Sequence, residues 1–132
     1  MAQQPIELIL LKQWATHIAT PVWIMDVEGN LVFYNEPAEV ILGKRFDEAG
    51  ELHADQLADL FVTTGLDGEP VANKELPVVV ALTEHHPAHA ELRIQTLDTG
   101  ESRRIEVTAI PIEGQGGRSL GAFAVFWESA SK

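Results

Sequence analysis

The stretch Pro21–Gly43, PVWIMDVEGNLVFYNEPAEVILG, decides the fold. It reads as strand, tight turn, strand and capped helix with almost no slack. Val22 to Asp26 and Leu31 to Tyr34 are rich in β-branched, aromatic and aliphatic residues, the composition of strands. Between them, Asp26-Val-Glu-Gly-Asn30 is turn chemistry. The Asp26 carboxylate can accept from backbone amides two or three residues on, and Gly29 can take a positive φ. Asn35 then suits an N-cap, Pro37 a first helical turn, and Gly43 the left-handed stop of that helix.

The chain of 132 residues has the size of one domain that buries enough apolar surface to fold alone. It has no cysteine, which removes disulfides, thiolate zinc sites and cysteine nucleophiles together. No apolar run approaches the roughly 20 residues of a membrane span. The start of the chain lacks the pattern of a signal peptide. A cytoplasmic protein with no membrane contact is expected. Nine basic and twenty acidic residues give a formal charge of −11, which repels phosphate backbones and argues against nucleic acid as a partner. Lys44-Arg45 and Arg103-Arg104 are isolated basic pairs, and the scattered acids serve solubility.

Pro5 to Ala19 reads as a helix. Leu8, Leu11, Ala15 and Ile18 fall on one face, and Leu10, Trp14 and Ile18 on a second. A helix apolar on two sides needs cover on two sides. After Gly43 the sequence is irregular, with one short helix predicted over Ala54–Val62 and a turn at Gly65-Leu-Asp-Gly68. Asn73 is placed to cap a further helix through about His85, with Pro77 in or near its first turn. Three strands follow: Ala88–Leu97, Ser102–Ile112 and Leu120–Glu128. Asp98-Thr-Gly100 joins the first two, and a glycine-rich flexible connection follows Glu113. Setting both apolar faces of the first pair inward pairs Ile94 with Ile105, Leu92 with Val107 and Arg93 with Glu106.

This order of elements resembles the PAS domain family. The residues that carry the likeness are Asp26, Gly29, Asn35 and Gly43, then Gly68-Glu-Pro70 and Glu75-Leu-Pro77, then Ile105-Glu-Val-Thr-Ala-Ile-Pro111 and Gly121-Ala-Phe-Ala-Val-Phe126. Residues 1–19 match the flanking helix that often precedes such domains, and residues 20–129 match the domain. The resemblance implies an α+β fold: a five-stranded antiparallel sheet of order 2-1-5-4-3, with helices on its inner face and the N-terminal helix on its outer face. It also implies a sensory or signalling role, often through dimers.

The resemblance and the alternation together assign the faces. Trp23, Met25, Leu31, Phe33, Leu92, Ile94, Ile105, Val107, Ala109, Ala122, Ala124 and Phe126 point inward. None is ionisable. All but Leu31 are candidates to line a ligand pocket, and the small Ala109, Ala122 and Ala124 leave room for a fatty acid or another apolar ligand. Flavin-binding relatives place amide side chains on this face, and the light-sensing LOV subgroup adds a photoreactive cysteine. Both are missing here, which argues against flavin. Haem-binding relatives carry a ligand histidine on the long helix. His85 and His86 sit at its end, where the helix dipole already favours them, so the residues argue against haem and no metal ligand is assigned.

Val22, Ile24, Val32, Phe123, Val125 and Trp127 point outward on three adjacent strands, extended by Ile110 and Ile112. Phe123 and Trp127 alone approach the apolar patch a soluble monomer exposes, about 300–600 Å². The N-terminal helix is the expected cover, with its own sheet on one side and a second copy on the other. The interface candidates are Leu8, Leu11, Trp14, Ile18, Val22, Ile24, Phe123, Val125 and Trp127. No catalytic residue is assigned, because no acid, base or nucleophile points inward. The expected function is a non-enzymatic sensory module, a homodimer that changes conformation with a ligand or a partner. Its output lies on a separate signalling protein or elsewhere in a longer chain. The competing readings are a small α+β enzyme and a haem-binding sensor using the same cavity.

Overall fold

The hairpin forms as its sequence dictates. β1 (Val22–Met25) and β2 (Leu31–Tyr34) pair antiparallel. Asp26 Oδ1 accepts the amides of Glu28 and Asn30, each at 3.0 Å, and Gly29 sits at φ 85°. Asn35 caps α2 (Glu36–Leu42) by accepting the Ala38 amide at 3.2 Å, and Gly43 closes that helix at φ 75°. These features come from a computed structural model, which describes residues 6–43, 45–46, 50, 52, 61–71, 75–97 and 100–129.

The other elements are α1 (Ile6–Thr16), β3 (Phe61–Thr64), α3 (Pro77–Glu84), β4 (Ala88–Thr96), β5 (Ser102–Glu113) and β6 (Ser119–Glu128). The strands form one antiparallel sheet of six, in the order β2-β1-β6-β5-β4-β3. The five predicted strands keep their predicted order, and β3 is added on the free side of β4. It takes the place of the end of the helix predicted over Ala54–Val62, whose residues 54–60 lie outside the described residues. Phe61-Val-Thr-Thr64 is aromatic and β-branched, which suits a pleated edge better than a helix. The helix predicted from Asn73 instead begins at Pro77, with Leu76 in the capping position and no side-chain cap. Asn73 lies outside the described residues.

The β4–β5 register is offset by two residues from the predicted one. Leu92 faces Ile105, Ile94 faces Arg103 and Arg93 faces Arg104. Gly100, at φ 77°, donates to the Thr96 carbonyl at 2.7 Å and closes the loop one residue earlier than predicted. An even slip keeps every side chain on its face, so alternation alone cannot detect it. The β5–β6 connection holds a short 3-10 turn at Gln115–Gly117 where only flexibility was expected.

A bulge in the first hairpin matters more. Ile24 pairs with Phe33 and Met25 with Leu31, so Val32 has no counterpart. From that point the faces of β2 exchange. Tyr34 pairs with Trp23 and is 1% exposed in the inner core, while Phe33 packs with the outer cluster. The inward assignment of Phe33 is therefore corrected: one extra residue breaks the period of two.

Both sheet edges meet other parts of the chain. Leu31 exchanges backbone hydrogen bonds with Leu52 beside β2, and Thr64 bridges Pro70 beside β3. Such cover blunts edge-to-edge association. No helix among the described residues is long and apolar enough to cross a membrane.

Two backbone positions give tests. Gly121 has φ 142°, and a Cβ there would overlap the Met25 carbonyl oxygen where β6 crosses β1. Gly121→Ala should cost roughly 3 kcal/mol, read as a lower urea midpoint. His85 ends α3 at φ 60°. His85→Gly should stabilise by about 1 kcal/mol by relieving the left-handed strain, and a lower midpoint would contradict that reading.

Candidate functional site

The β2-β1-β6 side of the sheet is apolar on both faces, and each face gathers one set of candidate residues. On the inner face, Met25, Leu92, Ile94, Ile105, Val107, Ala109, Ala122, Ala124 and Phe126 share one buried cluster with Leu31 and Tyr34, and Trp23 packs against it. Thus every pocket candidate except Phe33 lies where its strand position predicts. The Trp23 and Phe126 rings stand 5.2 Å apart, and Phe46 meets the Tyr34 ring at 5.2 Å. Tyr34 was not assigned to this face, because only the bulge turns it there.

Helices close this face. α2 contributes Ala38, Ile41 and Leu42, and α3 contributes Val78 and Ala81. α3 packs across β4, β5 and β6, two of which carry Ala109, Ala122 and Ala124. Small side chains let a helix approach a sheet closely, so the alanines position α3 as well as leaving space. Among the described residues, the buried polar side chains are Asn35 and Thr96, together with the Tyr34 hydroxyl, and no carboxylate, histidine, lysine or arginine side chain is buried. The inner cluster therefore offers apolar contact and shape rather than acid–base chemistry.

The outer face is covered by α1. Leu8 and Ala15, 1% and 0% exposed, pack on Val22, Ile24 and Val32, with Leu11, Ile18, Phe33, Ile112, Phe123 and Val125 around them. Leu8, Val22 and Ile24 are thus buried within their own chain, and a second copy cannot touch them while α1 stays docked. That corrects their assignment as direct interface residues. The covering helix consumes them, as its amphipathic position requires. Its other side remains exposed: Ile6 at 66%, Leu10 at 56%, Ile9 at 41% and Trp14 at 46%. Ile6, Ile9 and Leu10 were not assigned to the interface, though Leu10 was placed on the second apolar face of the helix with Trp14. Trp14 bridges both roles, with its ring edge-on to Phe123 at 6.0 Å. Beside it, Leu10, Gln13, Thr16 and His17 outline an open hollow. Trp127 lies apart, half-exposed, with its ring 6.3 Å from His89.

One residue joins the two faces. Asn35 is 2% exposed, and its Oδ1 accepts from the amides of Val22 at 3.0 Å and Ala38 at 3.2 Å. Its Nδ2 donates to the carbonyls of Ala15 at 3.0 Å and Thr20 at 2.9 Å. The amide thus satisfies a free N–H at the start of α2 and a carbonyl in the last turn of α1, with the matching polarity at each end. The sequence marked Asn35 as a cap for α2; its reach to α1 is a tertiary contact without a local signal.

The described histidines lie outside the core. His85 and His86 are exposed at the end of α3. His86 Nδ1 lies 3.0 Å from the Pro87 carbonyl and Nε2 lies 3.3 Å from Glu84 Oε1. No group of three or more histidine and carboxylate side chains among the described residues is placed to hold a metal ion. The Pro87 carbonyl, and then Glu84, raise the His86 pKa above its usual value. A raised value means that this contact stabilises the fold in acid and is lost as pH rises through the raised midpoint. Titration followed by NMR should give His86 a midpoint above about 6.5, and Glu84→Gln should lower it.

No protein-family model matches the sequence, and no curated protein sequence matches it. Solved structures do match. A PAS domain from Colwellia psychrerythraea aligns with TM-score 0.63 at 18% identity, covering 92% of this chain and 96% of that one. The PAS domain of nitrogen regulation protein NR(II) from Vibrio parahaemolyticus aligns with TM-score 0.64 at 16% identity, over 91% and 98%. The LOV protein of Rhodobacter sphaeroides aligns with TM-score 0.70 at 11% identity, over 96% and 69%. The six-stranded sheet, the helices α2 and α3 on its inner face and these alignments agree: the chain has the PAS-domain fold.

Proposed function

We propose that this chain is a sensory or signalling module that acts as a homodimer and passes a change in its inner core to α1. The observation that carries this reading is the two-sided helix. α1 seals the outer sheet with Leu8 and Ala15 and still presents Ile6, Leu10 and Trp14 to solvent. These positions are four residues apart and form one stripe, the spacing of a helix–helix contact. A second copy of the same stripe matches it in shape and polarity. Stable interfaces bury about 800 Å² per partner, more than one short helix supplies, so the dimer is weak unless surface near Trp127 joins it.

On the inner side, the reading is an apolar ligand among Trp23, Phe126 and the alanines, or a repacking of that cluster driven by a separate signalling protein. A buried cluster without amides or charges supports apolar recognition over flavin or haem, and its lack of a carboxylate, histidine or amine supports a non-catalytic role.

Sedimentation across a dilution series should show a reversible dimer. Leu10→Asp, at an exposed position, should leave the circular dichroism spectrum unchanged and shift the mass to one chain. A single-chain mass for the unsubstituted protein at every concentration overturns the dimer. Purified protein should show neither a flavin band nor a Soret band. Lipid extraction with mass spectrometry should release an apolar molecule, and an empty extract from a lipid-rich host leaves only the partner-driven reading.

A further inference from the structure

We propose that the Asn35 side chain couples the docking of α1 on the outer face to the ordering of α2 on the inner face, so that the two helices loosen together. The helices lie on opposite sides of the sheet and in separate apolar clusters, α1 with Val22, Ile24 and Val32, and α2 with Leu31, Tyr34 and the inner core. The two clusters meet at the β2 edge, where the Phe33 ring of the outer set stands 5.2 Å from Phe46 of the inner set, but that contact lies away from the ends of the two helices. The amide joins those ends: its nitrogen holds the Ala15 carbonyl of α1, and its oxygen holds the Ala38 amide of α2.

The rigidity of an amide makes this a link rather than two separate bonds. Oxygen and nitrogen sit on one planar group, so turning the nitrogen also moves the oxygen. If the last turn of α1 withdraws, the Nδ2 donor loses Ala15 while still buried, an unfavourable state. Reorienting the side chain to recover a partner draws Oδ1 away from Ala38 and Val22. The start of α2 then loses its cap and β1 loses one tie to the hairpin. The link acts equally from α2 to α1, because coupling between sites is reciprocal. Backbone bonds hold the pivot: the Asn35 amide donates to the Val22 carbonyl at 3.1 Å, and the Glu39 amide donates to the Asn35 carbonyl at 3.1 Å. The coupling stands on this geometry alone; only its use as a signal path rests on the sensory reading above.

Hydrogen exchange on the full chain tests it. Gln13→Gly weakens α1 at an exposed position, and Val40→Gly weakens α2 at a position 66% exposed. Each should speed exchange about two- to threefold in its own helix, the difference between glycine and the residue it replaces. Through the link, Gln13→Gly should speed exchange of the Ala38 and Glu39 amides by about twofold or more, and Val40→Gly should do the same for the last turn of α1. The amides of α3 should not respond. Asn35→Ser keeps an oxygen for the Ala38 amide but is too short to reach Ala15. In that background each glycine should loosen its own helix alone. The proposal is overturned if the opposite helix fails to respond, if α3 responds equally, or if the cross-effect persists in Asn35→Ser. Should Asn35→Ser not fold, the two reciprocal glycine variants still decide. Repeating the measurement at tenfold dilution separates the two readings. A cross-effect that vanishes on dilution belongs to self-association and overturns the coupling, whereas a constant one supports it even if the protein proves monomeric.

Discussion

Asn35 has two N–H donors and an oxygen with two lone pairs to satisfy away from water, and it does so with partners from α1, the loop after it, β1 and α2. A buried amide satisfied in this way rigidifies what it touches, because each lost partner leaves a polar group in an apolar setting. The residue sits where the hairpin hands over to α2, beside the point where α1 hands over to β1. The paths of both chain segments are fixed at this place. Apolar packing holds α1 against the sheet, but packing is non-directional and would tolerate sliding. The amide supplies the direction.

That constraint matters because the β2-β1-β6 side of the sheet is dry on both faces. Val22 and Ile24 are fully buried outward, and Met25, Ala122 and Ala124 are buried inward. Antiparallel sheets commonly leave one face wet. Here β4 does so, with His89, Glu91, Arg93 and Gln95 exposed on the outer face. The boundary falls near β5, and α1 covers only the dry side. The helix that makes the outer face dry is then left with Ile6, Leu10 and Trp14 on its own far side.

How much of this was readable depended on whether the deciding physics was local. The Asp26 turn, the Asn35 cap and the Gly43 stop involve contacts within a few residues, and the sequence specifies them directly. The alternation in β4 and β5 also fixed the faces of Leu92, Ile94, Ile105 and Val107. It could not fix the β4–β5 pairing, since a slip of two residues conserves every face and the loop at Gly100 decides. Phe33 went astray for the opposite reason. A bulge at Val32 breaks the alternation that the inference assumed, and the apolar run Leu31-Val-Phe-Tyr34 has no polar residue to reveal which side is wet. The same run hid Tyr34. Ile6 and Ile9 had the spacing of an exposed stripe, but which side of an all-apolar helix meets its own sheet is a tertiary choice. The reach of Asn35 to Ala15 spans twenty residues and leaves no mark in either segment.

The wet side of the sheet shows why the offset register is acceptable there. It sets Glu91 opposite Glu106 and Arg93 opposite Arg104, like charges in direct cross-strand pairs, which are unfavourable by themselves. The twist of the strands resolves this diagonally. Arg104 Nη2 reaches Glu91 Oε2 at 3.0 Å, and His89 Nε2 lies 3.2 Å from Glu106 Oε1. Exposed pairs contribute only about 0.2–1 kcal/mol each, so they do not select the register; they remove a penalty against it. The loop geometry at Gly100 and the burial of Leu92 against Ile105 choose the pairing, and long charged side chains have the freedom to accommodate it. Val22 and Ile24 have no such freedom, which is why the dry side needs a helix and a fixed amide while the wet side needs neither.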